Sequence, residues 1–568
     1  MLKDFIKNTA LHVNVFAILT GILAGYGALL FRFLISFFHN IFYHGGELNY
    51  SGICLETDSN YLLFIICPVG LTVAALIVKF FAAETKGSGI PEVMEAILVR
   101  GGRIRKRVVL VKTLASSLTI AAGGSVGREG PIVQIGSAFG SVLGQFFHLS
   151  RRDLKILMGC GTAGAIAATF NAPLAGIVFA IEVIILEFRA KSFIPLVVSA
   201  VVATVVSRFH LGNVPAFTVV PHGLKHPLDM IPYLGLAVLC ALIGVLMIKV
   251  YYNTDELIEK IRVPFIVKPI VGGLILATAG FYYPHVLGVG YETIELIFLQ
   301  NASLQLLIVL VFLKIAMMSI TIGVGGAGGV FAPSLFVGAA LGGAYGILVN
   351  TYFPEIASPS SAYALVAMAA VFAATSRATF AAIVTVFELT MDYTIILPLM
   401  LVCVIADQLA HTLAKDNTIF TVNLKKKGLS FVEGFGVDVF NSTLVNEIMS
   451  TEIESVAVDV TIEEAHERML SSGHSVFPVL NLDGEIEGMI HYRDIIFALK
   501  DHKPEESVSE IMHDVPPSVY PNQTALYAIK KMEKCHGSRI IVVERGSKVP
   551  IGLLSSADFV RLEAGVDD

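Results

Sequence analysis

Apolar runs long enough to cross a bilayer restrict what this chain can fold into more than any other feature. "HVNVFAILTGILAGYGALLFRFLISFF" (residues 12–38), "YLLFIICPVGLTVAALIVKFF" (61–81) and "LQLLIVLVFLKIAMMSITIGV" (304–324) each have about 20 residues or more, the length a helix needs to span the hydrocarbon core. Lipid cannot hydrogen-bond to backbone, so such runs must satisfy their own N–H and C=O groups as helices. The chain is 55% hydrophobic and only 15% charged, against roughly 25% charged residues in soluble domains. From about residue 415 charges become frequent and the apolar runs shorten to strand length. The expected organisation is an all-α, multi-pass membrane domain at 1–425, a linker at 426–444, and an α/β tail in two parts, 445–500 and 501–568.

The N-terminal "MLKDFIKNTALHVNV" carries two lysines with no small-residue cleavage site after the apolar run, and reads as a retained first helix. Two basic clusters, "RGGRIRKR" (100–107) and "SRRDLK" (150–155), lie between apolar runs and are expected on the cytoplasmic side. Six scattered cysteines have neither metal nor redox spacing. No nucleophile–base or metal-ligand constellation points to an enzyme or a metal site. A net charge of −6 gives no reason to expect a nucleic-acid partner.

Several apolar runs are broken. "GSGIPE" (87–92), "GREGP" (127–131) and "GVGGAGGVFAP" (323–333) each set glycines before a proline and a fresh apolar stretch. Proline suits the first turn of a helix, so each segment reads as a loop feeding a helix N-terminus. Irregular backbone at membrane depth is tolerated only where it is buried in protein or lines a watery cavity. Helix N-termini carry unpaired N–H groups and about half a positive charge. Converging on one cavity, they bind an anion without the full charge that would trap it. A cation pathway would instead want carboxylates and carbonyls, and up to their prolines these breaks offer one acid among them, Glu129.

The three broken segments resemble, in order, the signature motifs of the CLC family of chloride channels and proton-coupled anion antiporters. "FNAPLAGIVFAIE" (170–182) and "VFELT" (386–390) resemble further family segments. The resemblance implies a homodimer with a pore in each subunit, and two inverted-topology halves of tilted, discontinuous helices. It implies that Ser88 gives its hydroxyl to a central chloride, with the backbone N–H groups of Val330 and Phe331. Gly127, Arg128, Glu129 and Gly130 match the motif around an outer anion position, with Glu129 as the gate. Lys112 matches a family lysine that makes the pore positive without touching the ion. A carboxylate is itself an anion, so ionised Glu129 can fill an anion site and leave it when protonated. The remaining acids, Glu388 and Glu187, are expected to be structural.

Two positions depart from the antiporter pattern. Antiporters of the family usually carry a second, proton-relaying glutamate where "AIEVII" has Val183 after Glu182, and the family's channels commonly have valine there. The tyrosine that usually holds the central anion is matched by Phe420 in "DNTIFTVNL", which keeps the ring but loses the hydroxyl. Both departures point to a passive, voltage-gated-type chloride channel. A proton-coupled chloride antiporter on the same fold is the alternative.

The tail repeats itself. Ile448-Met449 returns as Ile511-Met512, and Asp494 as Asp558. Each copy reads as short strand, helix, two strands and helix, resembling a CBS pair. In nucleotide-binding pairs a Ser/Thr-x-x-Asp turn holds the ribose. Ser555 and Asp558 supply that turn in the second copy, whereas the first keeps Asp494 behind a histidine, His491. The resemblance thus leaves adenine nucleotide binding (ATP, ADP or AMP) and a purely structural dimerisation role open, with no cofactor required. The tail is expected to be cytoplasmic, below a cell membrane.

Overall fold

The computed structural model describes residues 9–43, 60–186, 190–213, 225–414, 417–426, 440, 443–501, 503–515, 518–534, 539–544 and 546–564. Glu187, Cys54, Cys535 and most of the 426–444 linker lie outside the described residues. The chain divides into two compact units, Met1–Gly428 and Leu429–Asp568.

The first unit is helical. Its segments, in chain order, are α1 (Thr9–Tyr43), α2 (Leu63–Phe81), α3 (Ile90–Leu98), α4 (Arg107–Ala121), α5 (Glu129–Phe146), α6 (Arg151–Phe170) and α7 (Pro173–Phe179), extended by a π-helical turn Ala180–Ile185. After α8 (Ala190–Leu211) and α9 (Met230–Lys260) come α10 (Val267–Tyr282), α11 (Tyr291–Phe298), α12 (Leu304–Gly323) and α13 (Phe331–Tyr352). Then follow α14 (Ser360–Ser376), α15 (Thr379–Thr390), α16 (Ile396–Ala414) and the short α17 (Val422–Lys426). Among the described residues seven helices are long and apolar enough to cross a membrane. Others, such as α3, α7 and α11, stop far short of a span, as the glycine breaks lead one to expect.

The helices α2 to α7 return as α10 to α15, and matched contacts show the relation. Lys112 on α4 donates to the carbonyls of Thr85 and Gly87 at 3.0 and 2.7 Å. Lys314 on α12 donates to those of Val286 and Gly288 at 3.1 and 2.9 Å. Thr119 Oγ1 accepts from Ala327 N at 3.2 Å, while Thr321 Oγ1 accepts from Ser125 N at 3.4 Å. The carboxylate of Glu388 caps α7, accepting from the N–H groups of Leu174 and Ala175 at 3.0 and 2.6 Å. Glu182 caps α15 in return, through Phe380 and Ala381 at 3.2 and 2.6 Å. An acid at a helix N-terminus satisfies orphan donors and meets the positive end of the dipole, so the two halves lock each other's half-helices. Interior acids used in this way need no pore role.

The second unit contains α18 (Val445–Ile448), β1 (Val456–Ala457), α19 (Ile462–Ser472), β2 (Val476–Leu480), β3 (Ile486–His491) and α20 (Tyr492–Lys500). Its second half has α21 (Ala525–Lys534), β4 (Arg539–Val543), β5 (Pro550–Ser555) and α22 (Ser556–Ala564). β1 runs parallel to β2, β2 antiparallel to β3, and β4 antiparallel to β5. The expected first strand of the second copy is only a single bridge, Val519 with Val542. Each copy's leading segment crosses to the other. Ser450 and Leu553 exchange N–H···O bonds at 3.0 Å, and Met489 exchanges them with His513 at 3.0 and 2.8 Å. Val445 accordingly belongs to the core of the second copy and Val508 to that of the first.

Candidate anion site

The three glycine breaks meet. Gly127 and Gly329 exchange backbone hydrogen bonds at 2.7 and 2.6 Å, and Gly87 donates to Gly326 O and accepts from Gly328 N at 3.4 and 3.1 Å. Backbone that has left its helix is thus paired loop to loop inside the bundle, which is what makes it tolerable there. At Gly130 a Cβ would lie 2.4 Å from Ser88 O and 3.0 Å from Gly329 Cα. Only glycine allows that approach, and it brings "GSGIP", "GREGP" and "GGVFAP" into contact.

A fourth break joins them that the sequence reading missed. Gly89 before α3 and Gly290 before α11 both adopt the left-handed region, at φ 88° and 92°. The second sits in "GVGY", which lacks the proline that marked the other three. Four helix starts therefore point into the middle of the unit: Ile90, Glu129, Tyr291 and Phe331.

Glu129 opens α5 and is 2% exposed. Its Oε2 accepts from Ala332 N at 3.3 Å, and its Oε1 accepts from the hydroxyl of Tyr291, the first residue of α11. The carboxylate thus takes one N-terminal backbone donor of α13 and the side-chain hydroxyl of the first residue of α11. Val330 and Phe331 lead into the same turn of α13 as Ala332. Arg128 does not close an ion pair on its neighbour. Its guanidinium carbon lies 5.0 Å from the Tyr291 ring centre and 5.8 Å from that of Phe170. Phe170 in turn lies 5.9 Å from the ring of Phe331, which packs on Phe372 at 4.3 Å.

Ser88 is buried beside this junction, and Lys112 and Lys314 are fully buried with their ammonium groups spent on loop carbonyls. Lys314 was missed because "LKIAMM" reads as an ordinary apolar span; only its match to Lys112 across the repeat exposes it. Val183 lies buried in the π-helical turn, beside a Glu182 whose two oxygens are both engaged by α15. Phe420 is 1% exposed in a turn pinned by Ile419 N donating to Thr375 O at 2.9 Å and by Tyr252 Oη donating to Ile419 O at 2.8 Å. That turn leads into α17, which packs against α3, the helix that begins just after Ser88.

In the tail, Asp558 Oδ2 accepts from both the N–H and the hydroxyl of Ser555 at 2.7 Å, capping α22. Asp494 Oδ2 instead meets His513 Nε2 at 2.8 Å, and the His513 ring lies 5.5 Å from that of His491. Burial lowers the pKa of His491 from the ordinary imidazole value; Asp494 opposes this, while His513, Arg539 and Arg493 add to it. The unfolded chain binds this proton near pH 6.5, the folded one only at lower pH. The unfolded state therefore holds more protons as pH falls through that window, and the tail loses stability below about pH 6.5 until the folded pKa is passed. Thermal unfolding of residues 429–568 at pH 7.5 and 5.5 measures this. The pH dependence should be shallower in His491→Gln, and equal slopes in the two proteins would remove His491 as its source.

Comparison with known proteins agrees with this geometry. The family described as voltage gated chloride channel matches residues 70–411, and the CBS domain matches twice, at 445–501 and 508–565. A ClcB-like chloride channel protein of Ralstonia nicotianae is 32% identical over 352 residues, covering 61% of this chain and 82% of that protein. A protein of Salmonella arizonae named H(+)/Cl(-) exchange transporter ClcA is 29% identical over 418 residues, covering 71% and 86%. Among solved structures, a slow cyanobacterial Cl-/H+ antiporter shares the fold with a TM-score of 0.66 at 24% identity, covering 73% of this chain and 97% of that one. From the family match through most of the helical unit, and from the paired half-helices within it, the chain belongs to the CLC family of membrane transport proteins and carries a CBS pair behind its membrane domain.

Proposed function

We propose that this protein is a passive, gated chloride channel, with a pore in each subunit of a homodimer and Glu129 as the gate. The observation that carries this reading is the Glu129 carboxylate, held on Ala332 N and Tyr291 Oη among the starts of the broken helices. A chloride arriving there competes with the carboxylate for the same donors. Ser88, Val330 and Phe331 hold the next ion, with Gly127, Arg128 and Gly130 shaping the upper position and Lys112 supporting the potential. Passive flow is favoured by the inner half of the pathway. Val183 carries no proton, Glu182 is committed to the cap of α15, and Phe420 offers no hydroxyl. Liposomes containing the protein should lose a chloride gradient; tight vesicles with folded protein would sink the reading.

Proton-coupled chloride exchange is the second reading, favoured by relatives that are themselves named exchange transporters. Both readings place the protein in a cell membrane, with the basic loops at 100–107 and 150–155 and the CBS tail on the cytoplasmic side.

The tail fits an adenine nucleotide regulator, with Asp558 on the ribose and Asp494 as its weaker counterpart. Calorimetry on residues 429–568 should show nucleotide binding that Asp558→Ala loses. Absence of binding to the parent tail at millimolar ATP, ADP or AMP leaves the pair a dimerisation module.

A further inference from the structure

The two copies of the tail set different chemistry at matching positions. The repeat that carries Met449 onto Met512 and Asp494 onto Asp558 also carries Ser450 onto His513, Val476 onto Arg539 and His491 onto Ser555. One end of the pair is therefore hydroxylic, with Ser450, Ser555 and Asp558, and the other bears imidazoles, with His513, His491 and Asp494. Arg539, at the start of β4, stands opposite Ser555 across the β4–β5 ladder, one strand spacing of about 4.8 Å away. Val476 stands opposite His491 in the same way across β2 and β3. The Arg539 side chain joins the two copies, its Nη1 donating to Val476 O at 3.2 Å. Ser555, Arg539, Val476 and His491 thus follow one another from one turn to the other.

This row is short of acid. Among the described residues Arg539 bonds to a neutral carbonyl and Arg493 lies over the Phe497 ring, and neither forms an ion pair with a carboxylate. Asp494 is held by His513 Nε2 at 2.8 Å, and the His513 ring lies 5.5 Å from that of His491. His491 therefore has one acid, Asp494, near it, and three basic groups, His513, Arg539 and Arg493. The His513 side chain is exposed, so a ligand can reach it. A neutral donor would suffice to join the copies through Val476 O. An arginine there brings further N–H groups and a permanent charge, in the planar fork that fits phosphate oxygens.

We propose that Arg539, His491 and His513 form a polyphosphate subsite between the two copies, so that the tail distinguishes nucleotides by the length of their phosphate chain. The proposal rests on the nucleotide reading of the tail above. With the ribose on the Asp558 turn, Arg539 takes the nearest phosphate, one strand away, and the two histidines take those beyond it. Asp494 is the weaker ribose position because His513 already holds its carboxylate. Affinity then rises from adenosine to AMP to ATP, since each added phosphate meets a further charged donor.

Calorimetry on the full-length protein in detergent, with adenosine, AMP, ATP and inorganic tripolyphosphate as probes, tests it. The parent should bind ATP at least about tenfold more tightly than adenosine. Arg539→Gln should weaken ATP and tripolyphosphate by about tenfold or more and leave adenosine unchanged, which also shows that the ribose end is still folded. Arg539→Lys, which keeps the charge but loses the fork, should fall between the two. His513→Gln should weaken ATP and leave AMP unchanged. Equal affinity of the parent for ATP and adenosine, or an ATP advantage that survives Arg539→Gln, overturns the subsite and leaves the nucleotide reading standing. If no nucleotide binds, while tripolyphosphate binds the parent and not Arg539→Gln, the nucleotide reading fails and the subsite stands. A parent that binds none of the four probes overturns both.

Discussion

Glu129→Gln should leave the chloride pathway open and nearly indifferent to pH. The side chain keeps its shape but loses the charge that lets it compete with an anion for Ala332 N and the Tyr291 hydroxyl. Hydrogen bonds involving a charged group contribute about 1.5–3 kcal/mol, against about 1 for neutral ones. Weakening both by that difference shifts gate occupancy by about tenfold to a thousandfold, since each 1.4 kcal/mol or so is a factor of ten. Chloride flux from liposomes at pH 7.5 and 5.0 measures the effect. The parent should change with pH and the Gln variant should stay flat and at least as fast. Tyr291→Phe removes one of the two bonds and leaves the whole charge in place; its flux should rise by about tenfold to a hundredfold and keep its pH dependence. A Glu129→Gln protein as pH-sensitive as the parent would rule Glu129 out as the gate.

A chloride gradient should drive little or no uphill proton movement through the parent protein. Stoichiometric exchange needs a proton route to Glu129 from the opposite face and a central site that holds its ion between steps. Val183 is apolar and buried, and the neighbouring Glu182 has both oxygens bound to backbone N–H groups of α15. Freeing that carboxylate would uncap a half-helix, at about 0.5–2 kcal/mol for a lost N-cap. On the proposed reading Phe420 stands at the central site without the hydroxyl, and the loss of a hydrogen bond of about 0.5–1.5 kcal/mol should lower occupancy there by up to about tenfold. Reversal potentials should therefore follow chloride alone. Proton uptake against its gradient at a fixed ratio to chloride would instead establish the exchange reading.

The relation between text and structure is clearest at the breaks. "GSGIP", "GREGP" and "GVFAP" could be read as helix starts because glycine followed by proline has a local meaning: freedom to turn, then a fixed φ suited to a first helical turn. The same local logic exposed the long spans by their apolar length and the tail repeat by its recurring Ile-Met and Asp. Glu129 stood out because an acid among glycines in an apolar region is costly unless it is used.

What the local text could not carry was partnership. Tyr291 is one aromatic among 17 tyrosines and 36 phenylalanines until the fold sets its hydroxyl on Glu129. Glu182 and Glu388 look like isolated acids in apolar runs, and only the antiparallel return of the second half shows each capping a helix of the other. Lys314 becomes legible only beside Lys112. The chain by itself thus determined where backbone leaves the helix at the three glycine–proline breaks and that Glu129 is too polar to be idle, because these follow from neighbouring residues along the sequence. Which donor faces which acceptor was decided by the tertiary structure alone, because those pairs are 162 to 214 residues apart along the chain and meet only when the two halves close on each other.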